Sequence, residues 1–447
     1  MAEERILLVI PRYNETYGMD GHYVMPMGML YVSAYLKREN IIPVHTVNLN
    51  HQDGEEQAVL QDIIHTHGIT HVGLGGISGE YKDLRRITRI LRDISPDLHI
   101  ILGGGIVTAD PETTMMAFPE VDTGIIGEGE VTITEFFRHI QQGLRPDQVD
   151  GLIFRDKQDK LTLTKRRDEI KDLDSLPLPD YKGFNYGEYL RDNPDLSDVG
   201  KKYSQVSVIG GRSCKYCCTF CFHPSGTTYR QRSLDSIFAE IDYLTTSYDI
   251  SYIALREELF ATDNRRVKEF CDRVAKYDFD WSIQLRIDNV NRELVNLLKG
   301  TRCRYIFLGI ESASDTVLKS MNKRITVKQV EEACQMLHEA GLNFRSGVIM
   351  GDAAETNETK QTTINWYLNN RENYRLYIDL IIAFPGSILY KNACRQGIIP
   401  DKVQFLKDGC PIVNLTKMTD TEFDMMVQQV ESINHRQYNV RHYELHA

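Results

Sequence analysis

The stretch that decides the fold is Gly210-Gly-Arg-Ser-Cys214-Lys-Tyr-Cys217-Cys218-Thr-Phe-Cys221, which follows a β-rich run at residues 206–209. Within it, Cys214, Cys218 and Cys221 form a CxxxCxxC triplet. Three thiolates at this spacing hold three irons of a [4Fe-4S] cube, whereas a fourth thiolate would close the cube as in electron-transfer ferredoxins. The triplet therefore predicts a cluster with one iron open to a small molecule. The amino and carboxylate groups of S-adenosylmethionine (SAM) are the expected ligands of that iron.

A structural zinc site is the competing interpretation of the same loop. Cys214, Cys217 or Cys218, Cys221 and His223 supply four potential ligands. Tetrahedral zinc sites usually pair two separated CxxC-type motifs, and the sequence has no such motif outside residues 214–221. We therefore favour the iron-sulfur cluster, with Cys217 as a spare thiol and His223 as an ordinary loop residue.

The chain downstream of residue 206 alternates strand-like runs with helical patterns. Six such β/α units predict a partial (β/α)6 barrel, whose chemistry lies at the carboxyl ends of its strands. The cysteine loop follows the first strand. The predicted strands cover residues 206–209, 252–255, 281–285, 305–309, 344–350 and 376–382.

The chain upstream of the loop also alternates strands and helices, which predicts a doubly wound parallel sheet. Three glycine-rich stretches follow its strands, at residues 75–79, 103–105 and 127–130, and this edge is where such sheets bind ligands. The first strand is followed by Pro11-Arg-Tyr-Asn instead of GxGxxG, so a nicotinamide cofactor is not expected. The predicted strands cover residues 6–10, 44–47, 71–74, 100–102 and 123–126, with helices at 28–38 and 82–94.

These patterns divide the 447 residues into four parts. We predict a doubly wound domain at 1–145, a connector rich in proline and acidic residues at 146–205, the barrel at 206–400 and a short helical tail at 401–447. The tail is too short to form a large substrate-binding domain. Substrate recognition is therefore expected at the barrel mouth, the connector and the crevice between the domains.

The composition restricts the possible partners and the location. A formal net charge of −11 argues against bulk binding to nucleic acid or to anionic membranes. No apolar run approaches the ~18 residues of a membrane span. The acidic N-terminus does not resemble a signal peptide, and four cysteines lie together instead of forming a disulfide framework. We expect a cytoplasmic protein without nucleic-acid or membrane partners.

The CxxxCxxC triplet, with the aromatic Phe220 before its last cysteine, resembles the radical SAM superfamily. The first half resembles the cobalamin (B12)-binding branch through Pro26-Met-Gly-Met-Leu-Tyr-Val-Ser-Ala-Tyr-Leu36, Gly103-Gly-Gly105, Gly127-Glu-Gly-Glu130 and Leu173-Asp-Ser-Leu-Pro-Leu-Pro179. The barrel resembles it through Glu257-Glu-Leu-Phe260, Arg286-Ile-Asp288, Gly309-Ile-Glu-Ser312 and Phe384-Pro-Gly-Ser387. The resemblance covers residues from about 5 to 400 and implies a Rossmann-like B12-binding domain before a radical SAM barrel. The turn Gly351-Asp-Ala-Ala-Glu-Thr356 departs from the usual family pattern.

The resemblance also implies roles for individual residues. SAM contacts are expected from residues at strand ends, namely Phe220, Glu257, Glu258, Arg286, Glu311 and Ser312. Each SAM contact has an alternative interpretation. The glutamates at 257 and 258 could lie at a solvated helix start, and the residues at 286, 311 and 312 could form a structural ion pair. Cobalamin contacts are expected from Gly28, Ser78, Gly79, Gly103, Gly104, Gly105, Gly127 and Glu128.

A histidine that would coordinate cobalt from below is not expected. The sequence has no Asp-x-His-x-x-Gly run, and His22 and His51 are interpreted as surface residues. The corrin would then be held by the shape of the glycine loops.

The resemblance implies that a 5'-deoxyadenosyl radical removes hydrogen from an unactivated carbon and that methylcobalamin supplies a methyl group. The product would be a C-methylated small molecule or peptide, with flavodoxin or ferredoxin as the electron donor. A radical rearrangement, cyclisation, epimerisation or dehydration, possibly without cobalamin, is one alternative. A non-enzymatic iron-sulfur or cobalamin sensor is another, and no catalytic residue is assigned.

Overall fold

The computed structural model describes residues 4–13, 23–156, 158–192, 195–198 and 201–444. Its first sheet contains the five predicted parallel strands, in the order β2-β1-β3-β4-β5. Because the order reverses between β1 and β3, the loops after these strands flank a crevice at the carboxyl edge. The doubly wound fold is confirmed. The strands are β1 Ile6–Ile10, β2 Val44–Asn48, β3 His71–Gly75, β4 His99–Gly103 and β5 Thr123–Ile125.

Two further strands extend this sheet from a region that the sequence predicts to be connector. β6 Leu152–Arg155 pairs antiparallel with β5, and β7 Leu161–Leu163 pairs antiparallel with β6. An antiparallel edge needs no crossover helix, so the alternating strand-helix pattern that predicts the other strands is missing here.

Helices cover both faces of the first sheet. In α3, for example, Leu84, Ile87 and Leu91 are fully buried at the i, i+3, i+7 spacing of one helical face. The helices are α1 Met27–Glu39, α2 Glu56–His67, α3 Tyr81–Ile94, α4 Gly105–Ala109, α5 Pro111–Ala117 and α6 Gly129–Gln141. The chain then continues through α7 Tyr186–Asp192 and a hairpin of β8 Asp195–Asp198 with β9 Lys201–Tyr203.

The second sheet has six parallel strands in the order β10-β13-β14-β15-β16-β17, which is the order along the chain that a partial barrel requires. A short antiparallel pair, β11 with β12, lies beside it. The strands are β10 Gln205–Val208, β11 Gly211–Arg212, β12 Arg230–Gln231, β13 Tyr252–Leu255, β14 Asp280–Arg286, β15 Cys303–Glu311, β16 Phe344–Met350 and β17 Leu376–Leu380.

The barrel helices pack on the outer side of these strands, and the tail helix α16 packs against β17 through buried Met426 and Val430. Within the described ranges, no helix is both long and apolar enough to cross a membrane. The helices are α8 Leu234–Ser247, α9 Asn264–Val274, α10 Arg292–Leu298, α11 Asp315–Ser320, α12 Val327–Glu339, α13 Asn357–Tyr374, α14 Ile388–Arg395, α15 Lys402–Lys407 and α16 Asp420–Glu444.

Candidate functional site

The three predicted ligands lie on the loop of residues 213–229, called the cluster loop, which leaves β11 and returns through β12. At its base, Ser213 adopts a positive φ of 64° and its hydroxyl donates to the Gly226 carbonyl at 2.7 Å. The middle of the loop is tied to the barrel, because the Thr219 amide donates to the Met321 carbonyl at 3.0 Å and the Thr219 carbonyl accepts from the Leu389 amide at 2.8 Å. The loop is thus held at both ends and in the middle.

The four clustered cysteines differ in burial. Cys218 is buried, Cys214 and Cys221 are half-buried, and Cys217 is exposed. Burial raises the pKa of the Cys221 thiol to about 12, with smaller contributions from Glu258 and from the other two thiols of the triplet. The three thiols therefore interact electrostatically with one another. Because a raised pKa disfavours the thiolate, a cation such as iron is needed to hold Cys214 and Cys221 ionised, and this donor set fits a cluster.

The zinc alternative finds less support in the geometry. Among the described residues, no three His, Cys, Asp or Glu side chains are grouped so that they hold a single metal ion. His223 is engaged elsewhere: its Nδ1 bonds to the Glu258 carboxylate and its Nε2 to the Tyr216 carbonyl. A cube distributes its thiolates over three irons, so the ligands need not converge on one point.

Arg286, at the end of β14, places a positive charge against the cluster loop. Its Nη1 lies 3.9 Å from the Sγ of Cys218, and its guanidinium stacks 3.6 Å above the Tyr216 ring. Its Nε donates to Asp288 at 3.0 Å and its Nη2 to the Lys323 carbonyl at 2.6 Å. The structure therefore places Arg286 against a predicted cluster ligand.

The two adjacent glutamates after β13 have different environments. Glu257 is buried, and its Oε2 accepts from the Gly210 amide at 3.0 Å. Burial raises its pKa to about 7, and its Oε1 has no partner among the described residues. Glu258 is partly exposed and contributes to the raised pKa of both Cys214 and Cys221. The two glutamates therefore differ in accessibility, and the SAM contacts predicted for both stay predictions.

Glu311 and Ser312 also separate at the end of β15. Glu311 adopts a positive φ of 68° and accepts from the Nζ of buried Lys323 at 2.5 Å. Ser312 is buried instead, with its hydroxyl 3.1 Å from that of Thr363 on α13. The SAM contact predicted for Ser312 stays a prediction, while Glu311 with its lysine forms the ion pair of the alternative interpretation. Phe220 is half-buried, 6.0 Å from the same lysine Nζ.

The glycine edge of the first sheet lies directly against the cluster loop. A Cβ at Gly105 would lie 3.5 Å from Pro224 Cβ and 3.7 Å from the Phe222 ring. Gly104 has a φ of 85° and adjoins the backbone of Gly76, where a Cβ would lie 2.6 Å from the carbonyl oxygen. Only glycine at position 104 therefore allows the backbone to come this close to Gly76.

Other predicted corrin contacts have open surroundings. Nothing lies within 4 Å of a Cβ built at Gly28 or Gly127, so both offer bare backbone to a flat ring. Ser78 is buried in a short helical turn that also contains half-buried Gly79, and Gly103 ends β4. This edge fits a macrocycle held by backbone contacts.

Glu128 is engaged in an ion-pair network that we call the interdomain clamp, formed by Glu128, Glu130, Arg212 and Arg230. Glu128 pairs with Arg212 at 2.6 Å and with Arg230 at 2.8 Å, and Glu130 pairs with Arg212 at 2.5 Å. Glu128 also accepts from the Ile170 amide at 2.6 Å. All four side chains are at most 11% exposed. The Glu128 carboxylate is thus saturated by protein donors, and the corrin contact predicted for it stays a prediction.

The interpretation of His51 as a surface residue is wrong. Its side chain is 4% exposed, and its ring nitrogens bond to the Tyr23 hydroxyl at 2.8 Å and to Asp192 at 3.1 Å. Both nitrogens are therefore occupied, which leaves none for cobalt. His22 lies outside the described residues.

Sequence reasoning missed Lys323 and the two arginines of the clamp. Lys323 follows a helix in an unremarkable Met-Asn-Lys-Arg run, and no local pattern marks it. Arg212 and Arg230 lie at the two ends of the cluster loop. This placement is the sequence signal that could have indicated their role at its base.

Two families match this chain. The Radical SAM superfamily matches residues 208–367, and the B12 binding domain matches residues 16–137. An uncharacterized methyltransferase of Pyrococcus horikoshii is 24% identical over 410 residues, which are 89% of this chain and 85% of that protein. The anaerobic magnesium-protoporphyrin IX monomethyl ester cyclase of Rubrivivax gelatinosus is 25% identical over 367 residues, which are 80% of this chain and 64% of that protein.

A solved structure has the same fold. The radical SAM methyltransferase TsrM from Kitasatospora setae, determined with cobalamin and a [4Fe-4S] cluster bound, superposes with a TM-score of 0.71 at 16% identity. The match covers 88% of this chain and 75% of that one. Since the two family matches fall on the doubly wound domain and on the barrel that carries the cysteine triplet, this chain belongs to the radical SAM superfamily, in the branch with an N-terminal B12-binding domain.

Proposed function

We propose that this protein is a cobalamin-dependent radical SAM methyltransferase whose cluster is held by Cys214, Cys218 and Cys221. When bound, the cluster supplies the electron that cleaves SAM to methionine and a 5'-deoxyadenosyl radical, and cobalamin carries the methyl group to be transferred. The observation that carries the proposal is the contact of Phe222 and Pro224 with Gly105. It brings the cluster loop to the edge of the sheet where the second cofactor is expected.

The side chains around the thiols have distinct proposed tasks. Glu258 supplies a carboxylate for the ammonium group of SAM, because it lies within electrostatic reach of Cys214 and Cys221. Arg286 neutralises negative charge at Cys218. Glu311, held by its lysine, is available for the polar groups of SAM, and Phe220 excludes water beside the cluster.

The corrin is proposed to rest on backbone instead of side chains. Gly28 and Gly127 have open faces, and the turn through Ser78 and Gly79 lies at the same sheet edge, as do residues 103–105. His51 would not ligate cobalt, since both of its ring nitrogens are engaged. The open glycine faces would instead hold the corrin by backbone contacts.

A second candidate is a radical cyclisation without methyl transfer. It is favoured by the 25% identity to a magnesium-protoporphyrin IX monomethyl ester cyclase. In either case we propose a small-molecule or peptide substrate and a low-potential electron donor such as flavodoxin or ferredoxin. A cluster with an open iron needs a reducing compartment, which supports a cytoplasmic location.

Anaerobic reconstitution with iron and sulfide, followed by reduction in the presence of SAM, tests the proposal. We expect the electron paramagnetic resonance (EPR) signal of a [4Fe-4S] cluster and its loss in Cys214→Ala, Cys218→Ala and Cys221→Ala, with Cys217→Ala as the matched control that keeps it. Methyl transfer yields both S-adenosylhomocysteine and 5'-deoxyadenosine, cyclisation yields 5'-deoxyadenosine alone, and a sensor yields neither. Survival of the signal in the triple variant would overturn the cluster assignment.

A further inference from the structure

The barrel encloses an open polar chamber. On β14, Ile283 and Leu285 are buried under the outer helices, whereas Gln284 between them is exposed. Because β14 has neighbouring strands on both sides, this exposure can only come from the inner face. The interior of this barrel is therefore open at the level of Gln284, whereas Ser282 and Arg286 on the same face of the strand are buried.

The last strand contributes an aromatic ring and a carboxylate to this chamber. Leu376 and Ile378 are buried on the side covered by α13 and α16, so Tyr377 and Asp379 face inward. The Tyr377 ring lies flat across Gly347 of β16, where any Cβ would overlap it. Tyr377 is 45% exposed although it sits on a strand that is covered from outside. The ring is thus held in place by a glycine and left open to the chamber.

Asp379 has no counter-charge. Within the described ranges its carboxylate makes no hydrogen bond and no ion pair, and burial alone raises its pKa. The pKa of neighbouring Tyr377 rises to about 12 through burial and through the negative charges of Glu311 and Asp379. Since Glu311 is already paired with Lys323, Asp379 is an exposed carboxylate on this wall that pairs with no described residue.

We infer that Asp379 and Tyr377 bind the protonated amine of the substrate, which assigns the substrate to the class of organic amines, amino acids or peptides with a free amino group. This inference rests on the proposed function, because the chamber holds a substrate only if the protein is an enzyme of that class. Asp379 is exposed on the inner face of the strand, so its carboxylate is free to pair with a cation that enters the chamber, and a protonated amine is such a cation. The face of an aromatic ring attracts the same cation.

The amine in question differs from the one on SAM. The ammonium group of SAM is expected at the open iron, beside the triplet and Glu258. Asp379 lies on the last barrel strand, β17, whereas the cysteines lie on the loop that follows the first, so the two amines are assigned to different elements of the barrel.

The test is calorimetric titration of the reconstituted full-length protein, saturated with SAM, with phenethylamine and with 2-phenylethanol. These two probes have similar size and differ in charge. We expect the amine to bind about tenfold more tightly or better, as one charge-assisted hydrogen bond provides. Asp379→Asn abolishes that preference and leaves the alcohol unchanged. Tyr377→Leu weakens binding of the amine several-fold, and Glu372→Gln, an exposed acid on α13, changes neither.

Equal binding of both probes to the wild type, or a preference that survives in Asp379→Asn, overturns the inference. A loss of the SAM-induced change in the cluster EPR signal in Asp379→Asn also overturns it, since Asp379 would then bind the cofactor. The same samples are assayed for 5'-deoxyadenosine. A wild type that cleaves SAM but shows no amine preference refutes the chamber site alone, whereas a wild type that binds no cluster refutes the proposed function.

Discussion

Arg212, in the strand that enters the cluster loop, forms a buried ion pair with Glu130 in the first turn of α6, 2.5 Å apart. The pair joins the two domains at the base of the loop that carries the cysteines. Burial alone would lower the pKa of the arginine, but attraction to Glu130 and Glu128 and the hydrogen bonds to both outweigh it and raise the pKa above its usual value, so the guanidinium stays charged. The position of the cluster relative to the glycine edge therefore depends on this contact.

We predict that Arg212→Gln destabilises the protein by about 3 kcal/mol, because it leaves a buried glutamate without its partner. The double variant with Glu130→Gln loses less than the sum of the two single losses. Urea unfolding measures both. Arg145→Gln, at an exposed pair with Asp147, is the control and costs less than about 1 kcal/mol. Equal effects of Arg145→Gln and Arg212→Gln would refute the role of the clamp.

Removal of the positive charge beside Cys218 should lower the reduction potential of the cluster. Arg286→Gln withdraws a cation that stabilises the more negative reduced state, and we expect a shift of roughly 60 mV, the equivalent of tenfold for one electron. EPR-monitored redox titration without SAM measures it. Arg286→Lys keeps the charge and shifts the potential less. A potential unchanged in Arg286→Gln would contradict the assignment.

Glu257 should make stability depend on pH. Its pKa of about 7 lies above the ordinary value of 4.5, so the folded state binds a proton that the unfolded state releases. The resulting stabilisation is complete below pH 4.5 and is lost as the pH rises to 7, up to about 3 kcal/mol. Glu257→Gln keeps an acceptor for the Gly210 amide, so its unfolding free energy varies less with pH. If the unfolding free energies of the wild type and of Glu257→Gln changed with pH in parallel, the raised pKa of Glu257 would be refuted.

Gly104 and Gly127 both have positive φ and lie at the sheet edge, so alanine substitutions at the two positions can be compared directly. A Cβ at Gly104 meets the Gly76 backbone at 2.6 Å, whereas a Cβ at Gly127 meets nothing within 4 Å. Gly127→Ala therefore costs only backbone strain, about 1 kcal/mol, and Gly104→Ala costs about 1–3 kcal/mol more from overpacking. Thermal unfolding and the visible spectrum of bound cobalamin check the two variants. Similar losses of stability in the two variants would show that the close approach of Gly104 to Gly76 does not limit the side chain at position 104.

The sequence predicts the features that are local in the chain. The cysteine triplet, the six barrel strands and the five parallel strands follow from spacing and periodicity, and all of these strands appear in the structure. The short antiparallel strands β6 and β7 were not predicted, because they lack the helix that marks each parallel unit.

The sequence does not predict which of two neighbouring side chains faces the site. Glu257 and Glu258 are adjacent, yet one packs behind Gly210 and the other reaches the thiols. Ser312 similarly turns toward α13, away from the chamber that Glu311 faces. Which face a residue takes depends on the path of the chain after the strand ends, and this path is set by tertiary contacts that no periodicity encodes.

The interdomain clamp also limits how this protein can be recombined. A chimaera that joins this barrel to a foreign B12-binding domain would leave Arg212 buried without a carboxylate, and Arg230 with Glu169 of the connector at 3.7 Å, unless that domain supplies glutamates at the positions of Glu128 and Glu130. The two halves are therefore expected to be inherited together, and any transplant of the first domain has to carry its Gly-Glu-Gly-Glu run with it.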